Sequence, residues 1–138
     1  MTDAASPQPA DAPDAEVIAL AGKLFDAARA GDTAALTAAV DAGVSANLTN
    51  GSGDTLLMLA AYHAHAGTVA ALVERGADPN RANDKGQTPL AGAVFKGAVD
   101  VVDALLAAGA DPKAGFPSAV DAAAMFGKAD LLARFEGR

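Results

Sequence analysis

The residues of this chain best suited to proton or metal chemistry near neutral pH are its two histidines, His63 and His65, two positions apart. On a helix that spacing turns the rings about 200° apart, so they cannot hold one ion from a shared face. They read as two exposed imidazoles at the end of a helix, with no metal site. There is no cysteine. That excludes a disulfide framework, a thiol nucleophile and a thiolate-bound zinc or iron–sulfur centre. The sequence contains no G-x-S-x-G, no phosphate loop ending in G-K-[ST], and no G-x-G-x-x-G after a strand. Gly51-Ser52-Gly53 lacks that context. Carboxylates are plentiful but dispersed. Asp78 and Asp111 sit in two copies of one short motif, where an Asp side chain closes its own turn through backbone bonds. The expectation is a chain with no catalytic residues, no metal and no cofactor.

The elements that would position any site follow from composition. The chain has 138 residues, enough for one domain with a modest core. Alanine supplies 38 of them, aromatics only six, and there is no Trp. Alanine is the best helix former and loses no side-chain entropy on burial, so the chain should be helical with closely packed backbones. The scarcity of β-branched and aromatic residues argues against a sandwich or barrel. The alanine bias also fits a GC-rich bacterial coding sequence. No apolar run approaches the roughly 20 residues that span a bilayer, and the N-terminus lacks the basic-then-apolar layout of a secretory signal. A soluble cytoplasmic protein is expected, with no membrane partner. The net charge of −7 argues against nucleic acid and fits solubility or a basic partner. Residues 1–14 hold three Pro and three Asp, and neither Lys nor Arg. They read as a disordered tail.

Residues 15–138 are organised by a repeat. GADPN at 76–80 and GADPK at 109–113 lie 33 residues apart. Gly53 and Gly86 share that offset, as do Thr55 and Thr88. Apolar positions keep the same phase: Leu24, Leu57 and Leu90; Leu36, Val69 and Val102; Val40, Val73 and Leu106. Gly31, Ala64 and Gly97 form a further series. A stack of equal units explains such recurrence, and an irregular core does not. Each unit reads as helix, turn, helix, Gly, loop. Thr55 and Thr88 are placed to cap the first helix, with Pro89 at its first position. Gly76 and Gly109 suit the left-handed residue after the second helix. NGSG at 50–53 and ANDKG at 82–86 read as tight hairpin tips.

These features resemble the ankyrin repeat, in period and in part of the T-P-L-H-x-A signature. The nearest copy is TPLAGA at 88–93, with Ala91 where the family has His; the second unit reads TLLMLA at 55–60. The resemblance implies an all-α solenoid of four stacked helix-turn-helix repeats with short β-hairpin-like loops. The repeats span about 15–48, 49–81, 82–114 and 115–138. Gly127 falls 30 residues after Gly97, so three residues are missing before Ser118 and the last hairpin is expected to be short. Outer faces should be polar: Thr33, Thr37 and Asp41 in the first unit, and Lys128, Asp130, Arg134 and Glu136 in the last.

The resemblance also points to a surface. In this family the two residues after the Ala-Ala of the first helix face the concave side and often meet a partner. Here these pairs are Arg29-Ala30, Tyr62-His63, Phe95-Lys96 and Met125-Phe126. Three of the six aromatics fall in these positions, in a stripe expected to run on the order of 30 Å across helices about 8–10 Å apart. Aromatic residues, Met and Arg are enriched at interface hot spots. The expected partner-binding residues are therefore Arg29, Tyr62, His63, Phe95, Lys96, Met125 and Phe126. A polar rim would come from Ser52, Asp54, Asp84, Lys85 and Gln87 at the hairpin tips. The implied function is a non-enzymatic module that holds a protein partner in its groove, with a monomer as the favoured state. The alternative is a small acidic inhibitor or immunity-type protein that blocks a basic enzyme through its charged surface; its binding would weaken steeply with salt.

Overall fold

The computed structural model of the chain describes residues 15–136. The expected tail at residues 1–14 lies outside them. Eight helices follow in order: α1 Ala15–Ala30, α2 Thr33–Asp41, α3 Leu56–Tyr62, α4 Ala66–Glu74, α5 Pro89–Lys96, α6 Val99–Ala107, α7 Ala119–Met125 and α8 Ala129–Phe135. They pair as four hairpins. The first helices stack as one row, α1 on α3 on α5 on α7, and α2, α4 and α6 stack behind them. The architecture is the expected all-α solenoid.

The alanines explain the close stacking. Ala60, Ala93 and Ala123 hold one slot in successive units and are fully buried, and Ala27 holds the same slot in the first. Small side chains there let neighbouring helix backbones approach with no side-chain entropy lost. Larger residues fill the space between the rows. Leu36, Val69 and Val102 form one buried series and Leu24, Leu57 and Leu90 another.

Local chemistry fixes each helix start. Thr55, Thr88 and Ser118 are buried N-caps, and their hydroxyls accept from the backbone N–H of Met58, Ala91 and Asp121. Each satisfies one of the orphan donors of a first turn. Between the paired helices the chain passes through a left-handed residue: Gly31 (φ 77°), Ala64 (φ 65°), Gly97 (φ 69°) and Gly127 (φ 64°). Only Ala64 carries a Cβ, at a cost of about 1–2 kcal/mol, against about 0.5–1 kcal/mol for the entropy that a Gly would lose. Ala64→Gly should therefore raise stability by about 0.5–1 kcal/mol, read as a higher urea midpoint at unchanged slope.

Loops lock unit to unit. The side-chain amide of Asn47 donates to Gly76 O and its carbonyl accepts from Asp78 N (3.3 and 2.7 Å). Asn80 repeats both bonds with Gly109 and Asp111 (3.2 and 2.7 Å). Asp78 and Asp111 close their own turns by accepting from Asn80 N and Lys113 N, the structural role expected of them.

The shortened last hairpin is visible in the backbone pairing. Thr49 bridges to Thr55, six positions on, whereas Gly115 bridges to Ser118, three positions on. The three missing residues are thus removed from this tip.

Three of the polar side chains expected on the outer faces also reach along the stack. The Thr33 hydroxyl lies 2.7 Å from that of Thr68, and Asp41 pairs with Arg75 at 3.1 Å, so both bind the second unit. Arg134 likewise pairs with Asp103 of the third unit at 2.9 Å. Asp41 and Arg134 face solvent as they do so, with side chains 63% and 39% exposed. The first turns of α1 are also less polar than expected, with Val17, Ile18 and Leu20 exposed. α1 has 16 residues and its partner α2 has nine, so its start runs past the elements that could cover it.

Candidate functional site

The ends of α3, α5 and α7 bring the aromatic residues together. Tyr62 and Phe95 hold one slot, each directly after a buried residue, Ala61 and Val94, whereas Phe126 stands one position further on, as the cap after Met125. The rings of Tyr62 and Phe95 are stacked, with centroids 6.1 Å apart and planes 19° apart. Phe126 meets Phe95 edge-on, at 5.4 Å and 81°. His63 stands edge-on to Tyr62 at 5.5 Å, and Lys96 Nζ lies 4.9 Å from the centre of the Tyr62 ring. The three aromatics are therefore one contiguous cluster. Rings on adjacent helices lean together because aromatic pairs gain about 0.5–1.5 kcal/mol beyond area burial. Burial is nevertheless incomplete: Phe95 is 56% exposed and Met125 68%.

A groove of about 550 Å³ runs beside this cluster. Arg29, Tyr62, His63, Phe95, Met125 and Phe126 line it, together with Asp54 and Gln87 of the hairpin tips. Lys96 does not line the groove; it sits over the Tyr62 ring. Ser52, Asp84 and Lys85 of the expected rim also stay outside the lining. At each tip an Asn organises the turn. Asn50 Oδ1 accepts from Ser52 N and Asp54 N, and Asn83 Oδ1 accepts from Lys85 N and Gln87 N. The tips are also joined. Asp84 N donates to Ser52 O at 3.1 Å, and Asn83 Nδ2 donates to Asp54 Oδ1 at 2.8 Å. The rim is thus a hydrogen-bonded wall.

Six further residues, not among those expected, make up the rest of the lining, here called the floor. It consists of Met58, Leu59, Ala91, Gly92, Pro117 and Ala122. The repeat carries a signal for it: Leu59, Gly92 and Ala122 hold one slot in successive units, and Gly92 lines the groove beside Phe95. A Cβ on Gly92 would meet Met58 and Tyr62 at 3.5 and 3.7 Å, ordinary contact distances. Phe116 is also new. It stands 83% exposed on the third tip beside Pro117, with its backbone N–H donating to Gly86 O at 2.8 Å.

The histidines are not placed as expected. They do not share a helix: His63 caps the end of α3, His65 caps the start of α4, and left-handed Ala64 lies between them. His65 Nε2–H donates to Arg29 O at 2.7 Å, and its ring covers Gly31. It ties the second unit to the first. A Cβ at Gly31 would stand 2.6 Å from His65 Nδ1, with φ at 77°. Gly31→Ala should therefore cost about 2–3 kcal/mol, combining left-handed strain with the lost hydrogen bond. Thermal unfolding reads this directly.

His63 faces the groove. Burial holds its pKa below the ordinary value of 6.5, and the positive fields of Lys96, His65 and Arg29 push the same way. The fold thus favours the neutral ring. Its contribution to stability is complete above pH 6.5 and declines as pH falls through the lowered pKa of the folded state. Proton NMR titration should place His63 below 6.5, and Lys96→Gln should move it upward.

Among the described residues, no group of three or more His, Asp or Glu side chains is placed to hold a metal ion, and no helix is long and apolar enough to cross a membrane.

Comparison with known proteins agrees with this fold. A family model for ankyrin repeats, in three copies, matches residues 24–115. The chain is 45% identical over 69 residues to the ankyrin repeat protein PA3287 of Pseudomonas aeruginosa, a match covering 50% of this chain and 38% of that protein. Its fold superposes on the crystal structure of the human ASB11 ankyrin repeat domain with a TM-score of 0.72 and 29% identity, covering 81% of this chain and 52% of the other. The chain therefore spans about two-fifths of the length of its curated relative and about half that of its structural neighbour.

Proposed function

Because the chain belongs to the ankyrin repeat family, whose members are generally protein–protein interaction modules, we propose that it holds a protein partner in its concave groove and performs no chemistry. One observation carries this reading. In a chain with six aromatics, three form a contiguous, partly exposed cluster against a groove of about 550 Å³. Exposed aromatic side chains are anchors that a partner can desolvate at low entropy cost. Tyr62, Phe95, Met125 and Phe126 are the anchors, and Arg29, His63 and Lys96 set the charge beside them. Asp54 and Gln87 supply polar groups in the lining.

The acidic-inhibitor reading would use the outer helices instead. Support for it is weaker, because Asp41 and Asp103 are already paired with Arg75 and Arg134. The two readings separate on a purified partner. Under the groove reading, Tyr62→Ala with Phe95→Ala abolishes binding, and Glu74→Gln with Asp100→Asn leaves it unchanged. The opposite pattern would overturn it.

A further inference from the structure

The groove has charge as well as shape. The protein carries a net charge of −7, yet cations border the aromatic cluster where the first helices end. Arg29 and Lys96 occupy the last turns of α1 and α5. His63 stands between them in the stack, and Lys128 reaches the turn at Gly97, where its Nζ would lie 3.7 Å from an added Cβ. The ion pairs that link successive units lie behind, on the outer helices, where Arg75 and Arg134 meet Asp41 and Asp103. Of the cations bordering the cluster, Arg29 pairs with one carboxylate, Asp26, at 3.0 Å, and its side chain stays 42% exposed. The low pKa of His63 reflects, after burial, the fields of Lys96, His65 and Arg29 acting on one spot. One carboxylate, Asp54, also lines the groove, where it accepts from the side-chain amides of Asn50 and Asn83. The groove is thus apolar in the middle, with Arg29 in its lining and Lys96 beside it over the Tyr62 ring, within a negative protein.

From this charge pattern we infer that the occupant of the groove is an acidic polypeptide segment with apolar side chains. Its apolar groups would cover Tyr62, Phe95 and Phe126, and its carboxylates would meet Arg29 and Lys96. This rests on the groove reading above. Complementary charge at the rim steers encounter and rejects basic competitors, which the net negative field favours elsewhere on the surface. Arg29 and Lys96 also complement the dipoles of their own helices, so stability must be read alongside binding.

The test is a random dodecapeptide library displayed on phage, panned on the full chain. Enriched peptides are then synthesised and measured by fluorescence anisotropy against the full chain and two variants, Tyr62→Ala/Phe95→Ala and Arg29→Gln/Lys96→Gln. Circular dichroism checks that both variants remain folded. The expected result is enrichment of peptides rich in Asp, Glu and apolar residues. Their binding should be lost in the aromatic variant and fall about five- to tenfold in the charge variant, and it should weaken as salt rises from about 0.05 to about 0.3 M. Neutral or basic peptides that lose binding only in the aromatic variant would overturn the acidic inference and leave the groove reading standing. Peptides indifferent to the aromatic variant would overturn both. Failure to enrich any peptide, or self-association of the chain through this face, would also count against the acidic segment.

Discussion

Replacing Tyr62 and Phe95 together by Ala removes partner binding while the fold survives. The two rings stack at 6.1 Å, and Phe95 also supports Phe126 at 5.4 Å. Removing both therefore dismantles the whole aromatic cluster. Each is a hot-spot type worth at least about 2 kcal/mol when a partner desolvates it. The double change should weaken a purified partner on the order of a hundredfold to a thousandfold. Both side chains are at least one-third exposed, so the folding cost is smaller, about 1–2 kcal/mol from the lost ring contacts. Helical circular dichroism should be retained. Affinity capture from the source cells with mass spectrometry supplies the partner, and titration calorimetry on the purified pair reads the loss. Unchanged affinity would sink the groove assignment.

Leu90→Ala is the largest expected stability effect. Leu90 is 1% exposed on α5, which packs between α3 and α7 and against α6. Truncation there leaves a cavity that backbones already held close by alanines cannot collapse to fill. The expected cost is about 2–5 kcal/mol, from a total of about 5–15 kcal/mol for a domain of this kind. Urea unfolding should show a much lower midpoint, or a chain already unfolded. Val99→Ala, at a half-exposed position on α6, is the control and should shift stability by less than about 0.5 kcal/mol. A wild-type midpoint for Leu90→Ala would mean that the repeat register is misplaced.

Most of the architecture was legible because a repeat states the same physical requirement several times. Thr55, Thr88 and Ser118 recur because every first helix needs a cap, and the alanine series recurs because every pair of first helices meets. The three-residue deficit before Ser118 was readable as arithmetic, and the structure locates it in the Gly115–Ser118 turn. The aromatic positions were legible only through the family resemblance, which says which helix end faces the concave side. The partners of Thr33, Asp41 and Arg134 were not legible, because a one-dimensional pattern marks a residue as polar without saying which neighbour it reaches. His63 and His65 were misjudged for a related reason. Ala64 stands where the other units have Gly, so the turn carried no glycine to mark it, and the two histidines looked like residues of one helix.

The sequence by itself determined the all-α class, the period, the number of units and the caps, because these depend on local propensity and on recurrence along the chain. Only the tertiary structure decided that three aromatics touch, that Gly92 lines the groove beside them, that Asn83 binds Asp54 across the tips, and that Lys96 sits over the Tyr62 ring. Those facts depend on distances between units. Such distances are set by how closely alanine-lined helices pack, and no spacing within one repeat encodes them.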